Sequence, residues 1–176
     1  MRAALRWMRT RGRVREAVVT AGALWRYWYL RGWWSEGRDV LTQLLAEHLA
    51  GDEDAHADPV RVPALVGLAV LLARHGDYPA AARTAATADA MSGTDTAADG
   101  DAAFACGLAA SLAVGYDTAC NHYLRALDRH QRAGEIDLVG DASNYLGYAL
   151  WRGGRHAQAR ERFDAARELF VARGNT

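Results

Sequence analysis

A tight, glycine-centred break recurs four times along the chain, at "LRGWW" (Gly32), "RHGDY" (Gly76), "AVGYD" (Gly115) and "RGGRH" (Gly154), and the residues around it keep step with it. Five, nine and twelve positions after the glycine stand Gly37, Leu41 and Leu44 in the first segment, Ala81, Ala85 and Ala88 in the second, and Ala159, Phe163 and Ala166 in the fourth. In the third, the trio Ala119, Tyr123 and Ala126 arrives one residue early, as though that turn had lost a residue. Eight and seven positions before the glycine stand Leu24 and Trp25, Leu68 and Ala69, and Leu146 and Gly147, with Cys106 and Gly107 filling the same places once the third turn is allowed for. Small, large, small at i, i+4, i+7 forms one stripe of a helix, so a partner helix approaches closely at the small residues while the large one fills the gap. A glycine between two helices supplies the positive φ that a short turn needs. The constraint is therefore a series of helical hairpins, each too thin to bury both faces and obliged to stack on its neighbours.

The remainder of the sequence agrees. Strand-like alternation is rare, and runs such as "VPALVGLAVLLARHG" (62 to 76) repeat apolar residues at three and four positions. Polar breaks fall at 50 to 59, 92 to 101 and 132 to 136, and Asp58 before Pro59 has the form of an N-cap followed by proline at the first helical position. The expected fold is all-α: a right-handed α-α superhelix of about four hairpins, over residues 14–50, 59–91, 98–132 and 135–173, with a helix over 2–11 as half of an incomplete pair. With 176 residues and a hydrophobic fraction of 51%, one domain over 1–176 is the expectation.

These spacings resemble the tetratricopeptide repeat, whose signature includes a leucine-glycine pair in the first helix and an alanine, aromatic, alanine trio in the second. The best copy is "NYLGYALWRGGRHAQARERFDAARELF" (144 to 170). The pitch is about 38 to 44 residues instead of 34, Trp25 stands where glycine is usual, and no proline closes the repeats. The long loops and the stretch "RAALRWMRTRGRVREAVVTAGALWRYWYLRGWWSEGRDVL" are similar to the helical region that follows the nucleotide-binding module in actinobacterial LuxR-type and AfsR-type regulators, ATPases of signal transduction. That resemblance implies a role in transcriptional regulation, and both ends of the chain read as cut from a longer array. No phosphate-binding glycine loop accompanies it, so the ATPase activity does not carry over.

Charge and reactive residues narrow the function classes. Arginines and acids number 21 each, with no lysine, yet residues 1 to 35 hold eight arginines and one acid, Glu16. The arginines at 2, 6, 9, 11, 13 and 15 offer a stripe (Arg2, Arg6, Arg9) that would grip phosphates, but a solvated face, or pairing with acids in a neighbouring domain or subunit, carries more weight at zero net charge. The run "ALWRYWYLRGWW" (23 to 34) would stack bases or a planar ligand, or fill the seam between the first full pair and the basic helix before it. The core register of Trp25 and Trp28 favours packing. The six histidines lack metal-ligand spacing, no nucleophile-base arrangement is identifiable, and the acidic pairs Asp52/Asp54 and Asp99/Asp101 are read as loop residues, so neither enzyme activity, cofactor nor metal is expected. Cys106 and Cys120 read as buried thiols of a cytoplasmic protein, and no apolar run reaches membrane-span length.

The expectation is a non-catalytic scaffold that binds a peptide or protein segment on the inner surface of the curve, and uncapped ends suggest self-association. By register the inward-facing candidates are Arg26, Tyr29, Arg74, Ser111, Asn144, Tyr148, Trp151 and Arg152. A sensor or autoinhibitory arm of a larger ATPase regulator is the alternative, and nucleic-acid binding through the arginine stripe comes third.

Overall fold

The computed structural model describes all residues except 1, 52, 93–96, 114, 173, 175 and 176, together with the side chains of 53, 97 and 98. Among the described residues the regular structure is helical throughout, and no helix is long and apolar enough to cross a membrane. The chain divides into two compact units, Met1–Ser92 and Gly93–Thr176.

The first unit holds α1 (Arg2–Thr10), α2 (Val14–Leu30), α3 (Trp34–Gly51), α4 (Val62–His75) and α5 (Tyr78–Met91). Helix α4 is apolar around nearly its whole circumference, and α2, α3 and α5 all pack on it. Each close packing is made possible by an absent side chain. Ala81, Ala85 and Ala88 form the fully buried stripe of α5. A Cβ on Gly37 would stand 2.9 Å from the Cβ and Cγ of Trp28, and one on Gly67 would stand 2.6 Å from the Cγ of Trp25. Between α3 and α4 the chain makes two 3-10 turns, Glu53–Ala57 and Pro59–Arg61. Asp58 caps the second, its Oδ1 accepting from the Val60 amide across 3.1 Å, and the buried Arg61 donates to the carbonyls of Ala55 and His56.

The second unit holds α6 (Ala97–Leu112), α7 (Tyr116–Ala133), α8 (Ile136–Arg152) and α9 (His156–Ala172). Here the small-against-large pattern runs within each pair, twice per hairpin. Gly107 faces the ring of Tyr123 and Gly100 that of His130, while Gly147 faces Phe163 and Gly140 faces Phe170. The rings of Phe104, Tyr123 and Tyr145 meet with centroids 5.0 to 6.0 Å apart and join α6, α7 and α8. Phe163 remains 37% exposed although its neighbours Ala159 and Ala166 are buried.

Gly12, Gly32, Gly76, Gly134 and Gly154 all have positive φ, from 70° to 91°. The residue after each of them donates its amide to the carbonyl five positions back, as Trp33 does to Trp28, Asp77 to Leu72 and Arg155 to Leu150. In the third pair that bond runs from Gly115 itself to Ala110, at 2.9 Å, and Gly115 has φ −92°. The origin of the count is therefore residue 114, which lies outside the described residues. Counted from there, Cys106, Gly107, Ala119, Tyr123 and Ala126 fall in the common register, and the turn has lost nothing. Asp99 and Asp101 are also placed differently from expectation: both belong to α6, and Asp99 is buried in a pair with Arg129, whose Nη1 also donates to the Asp99 carbonyl. Asp52 lies outside the described residues.

Candidate interaction surface

Alanine-rich helices offer few side chains that reach outward, so the places where rings and guanidinium groups gather on the surface stand out. In the first unit they gather where the ends of α2 and α4 meet the start of α3. Arg74, exposed near the end of α4, lies with its guanidinium carbon 5.5 Å from the ring centroid of Tyr29 and 5.0 Å from that of Trp34. Trp34 is fixed in turn by its indole N–H, which donates to the Tyr29 carbonyl across 3.1 Å. Tyr29 also meets Trp25 edge-on, and the half-buried Arg26 lies 4.7 Å over the Trp25 ring.

In the second unit the corresponding gathering joins the start of α7 to the end of α8. Arg152 lies 5.4 Å over the Tyr116 ring and 6.0 Å over that of Tyr148, whose hydroxyl oxygen accepts from its Nη1 at 3.3 Å. This hydrogen bond, with the nearby Tyr116 and Tyr148 oxygens, holds the guanidinium above its ordinary pKa and so firmly charged. Tyr148 and Trp151 stand beside each other at 6.0 Å, 43% and 50% exposed, and Asn144 is exposed one turn before Tyr148. Ser111 does not join this surface. It is 8% exposed and its hydroxyl donates to the Tyr123 oxygen at 3.4 Å, because the ring that fills the space beside Gly107 brings its own polar atom into the core.

Sequence reasoning named Arg74 and Arg152 as inward-facing but did not name the rings they rest on, Trp34 and Tyr116. The signal was present: each ring stands two residues after a turn position and each arginine two before the next, once the third turn is counted from residue 114. Elsewhere in the aromatic run Tyr27 and Trp33 stay exposed and meet edge-on, whereas Trp25 and Trp28 are buried in packing, but not where expected. Trp28 fills the gap inside the first pair and Trp25 the seam toward α4, whereas α1 buries only Leu5.

Much of the basic N-terminus is paired within its own unit, while Arg6 and Arg11 stay exposed. Arg2 pairs with Glu36, Arg9 Nε donates to Glu47 at 2.8 Å, and Arg15 Nε donates to Asp58 at 2.8 Å. The acids expected in another domain or subunit are supplied by α3 and the α3–α4 loop. Hydrogen bonds from Arg2, Arg9 and Arg15 hold the carboxyls of Glu36, Glu47 and Asp58 below their ordinary pKa values. The unfolded chain then binds more protons than the folded one, so this contribution to stability is present at neutral pH. It is lost as the pH falls through the ordinary carboxylate range toward the depressed values. We expect protease nicking at the α1–α2 turn to increase below about pH 4. The Glu36→Gln/Glu47→Gln double variant should already be nicked at neutral pH, and equal resistance of both proteins across the range would refute the role given to these pairs.

Among the described residues no three His, Cys, Asp or Glu side chains gather as a metal site. Cys106 and Cys120 are buried, and burial pushes the Cys120 thiol above its ordinary pKa despite the Arg155 guanidinium 3.2 Å away.

No protein-family model and no curated protein matches the sequence. Solved structures do. BtubC from P. vanneervenii is 14% identical with a TM-score of 0.73, the match covering 92% of this chain and 66%, just under two thirds, of that one. A Podosopora anserina kinesin light chain with nearly identical TPR-like repeats is 14% identical with a TM-score of 0.65, over 99% of this chain and 94% of its own. MamA, from residue 41 onward, of Desulfovibrio magneticus RS-1 is 17% identical with a TM-score of 0.61, over 97% and 93%. Together with the hairpins, their glycine turns and the matched small and large positions, these likenesses establish the fold as an all-α array of tetratricopeptide-like repeats.

Proposed function

We propose that the chain is a non-catalytic interaction scaffold that binds a peptide or protein segment on the first-helix faces of its hairpins, in transcriptional regulation or signalling as the N-terminal resemblance implies. The observation that carries this reading is the Tyr148–Trp151 pair: two rings about half exposed, side by side, next to an exposed Asn144 and a ring-held Arg152. Rings left open to water in this way favour contact with a partner, since tyrosine, tryptophan and arginine yield the most binding free energy per side chain on becoming buried. The expected inner surface adds Arg26, Tyr29 and Arg74 in the first unit. The TPR-like fold of the neighbouring structures supports a scaffold, and the regulatory setting rests on the resemblance of residues 2 to 41.

The test is co-purification from the native host with wild-type and Tyr148→Ala/Trp151→Ala baits of equal thermal stability. Loss of a specifically retained protein from the double variant, by roughly tenfold or more, is the expected result. Retention of the same proteins by both baits would count against this surface.

A further inference from the structure

Arg74 and Arg152 share more than a location. Each lies two residues before the turn position of its hairpin, and each rests on the ring two residues after the turn position of the preceding hairpin, Trp34 and Tyr116. Each also covers a second ring, Tyr29 or Tyr148. Among the described residues these are the two arginines held over two rings; Arg11, Arg13, Arg26 and Arg31 each cover one. The same device therefore occurs once in each compact unit, on different ring types, at one register.

Among the described residues neither guanidinium is paired with a carboxylate. The acids beside them are engaged elsewhere: Asp77 accepts from the Ala80 amide at 3.1 Å, and Asp117 is paired with Arg155 at 2.8 Å. Arg2, Arg9 and Arg15, by contrast, already hold Glu36, Glu47 and Asp58. A guanidinium lying on a ring keeps the N–H groups at its edge for hydrogen bonding, and the ring restricts its rotation in advance. Little further entropy is then lost when a planar anion meets the fork.

We propose that Arg74 and Arg152 are preorganised anchors for carboxylates, so that the segment bound by each unit is an acidic peptide. This rests on the scaffold reading above and specifies its partner. An acidic peptide fits better than a nucleic acid, because phosphate tracking needs a run of uncommitted cations. Of the N-terminal arginines that would supply one, Arg2, Arg9, Arg13 and Arg15 are bound to acids of their own unit, which breaks the stripe on both sides of Arg6, and the net charge is zero. In the second unit the exposed Tyr148 and Trp151 beside the anchor add a preference for an apolar side chain next to the acid.

The experiment pans short random peptides displayed on phage against the full chain and measures the selected peptides, synthesised, by calorimetry. Expected are sequences enriched in Asp or Glu beside an aromatic or aliphatic residue, and a loss of about tenfold for Arg74→Gln or Arg152→Gln. Asp→Asn or Glu→Gln changes in a selected peptide should cost a similar factor, and they read the same contact without altering the protein should a variant fail to fold. Selected peptides with no acidic enrichment, or with affinity unchanged by those substitutions but abolished by Trp151→Ala, would overturn the anchors and leave the scaffold standing. A lowered melting temperature with unchanged affinity would reduce the stacks to staples between hairpins, and tighter binding of a labelled single-stranded oligonucleotide would replace the peptide. Failure to select any peptide would remove both readings together.

Discussion

Trp28→Ala is expected to lower the unfolding free energy of the first unit by about 3 to 5 kcal/mol, the range for truncating a buried large aromatic side chain. Trp28 is fully buried on α2, and its stem and ring occupy the space opened by the missing side chain of Gly37, where the Leu71 side chain also arrives. Gly37 has no side chain to extend into the gap, and the Leu71 side chain at its edge is far smaller than the lost indole. The control is Trp33→Ala, three residues past the end of α2: that ring is exposed, and its loss should change stability by no more than about 0.5 kcal/mol. Urea unfolding followed by far-ultraviolet circular dichroism compares them. Equal midpoints for the two variants would mean that the first pair is not packed around Trp28.

The second large effect has the opposite cause. Alanine is the better helix former by about 1 kcal/mol, so Gly67→Ala in the middle of α4 would stabilise an isolated helix. Inside this unit the new methyl would overlap the Cβ of Trp25. That atom is fixed to the α2 backbone and cannot turn aside as a ring edge can, so α2 and α4 must separate. A net loss of about 1 to 3 kcal/mol is expected. Gly51→Ala, where a Cβ meets nothing, supplies the comparison and should be neutral or slightly stabilising. Should Gly67→Ala melt no lower than Gly51→Ala, the close approach of α2 to α4 would be wrong.

Much of this packing is legible in the sequence, but with its partners unassigned. The register from the turn glycines marked Gly37, Leu41, Ala81, Ala85, Ala159 and Ala166 as buried, and they are. It marked Phe163 equally, which keeps a third of its surface in water, and it marked Trp25 as a departure from the usual glycine. The structure gives that departure a compensation. In the second unit the first-helix glycines, Gly107 and Gly147, receive a ring from their own second helix, whereas Trp25 brings the ring on the first helix and receives a glycine, Gly67, from the next hairpin. The third turn departs from expectation because its visible glycine, Gly115, stands one residue past the turn position, where its amide donates to Ala110.

The candidate surface was half legible for a related reason. Facing side chains along one helix follow from its period, which is how Arg26, Tyr29, Arg74, Ser111, Asn144, Tyr148, Trp151 and Arg152 were grouped. Contacts between hairpins follow no such rule, and Arg74 on Trp34, Arg152 on Tyr116 and Arg2 on Glu36 were invisible. By itself the sequence determined the helical period, the glycine turns and the alternation of small and large residues, because each is fixed by the geometry of a single helix or turn a few residues long. Only the tertiary structure decided which ring entered which gap, that the Ser111 hydroxyl was drawn into the core by Tyr123, and which arginines were spent on internal acids. Those outcomes depend on how far apart and at what angle two helices pass, and that angle is set by all their contacts at once.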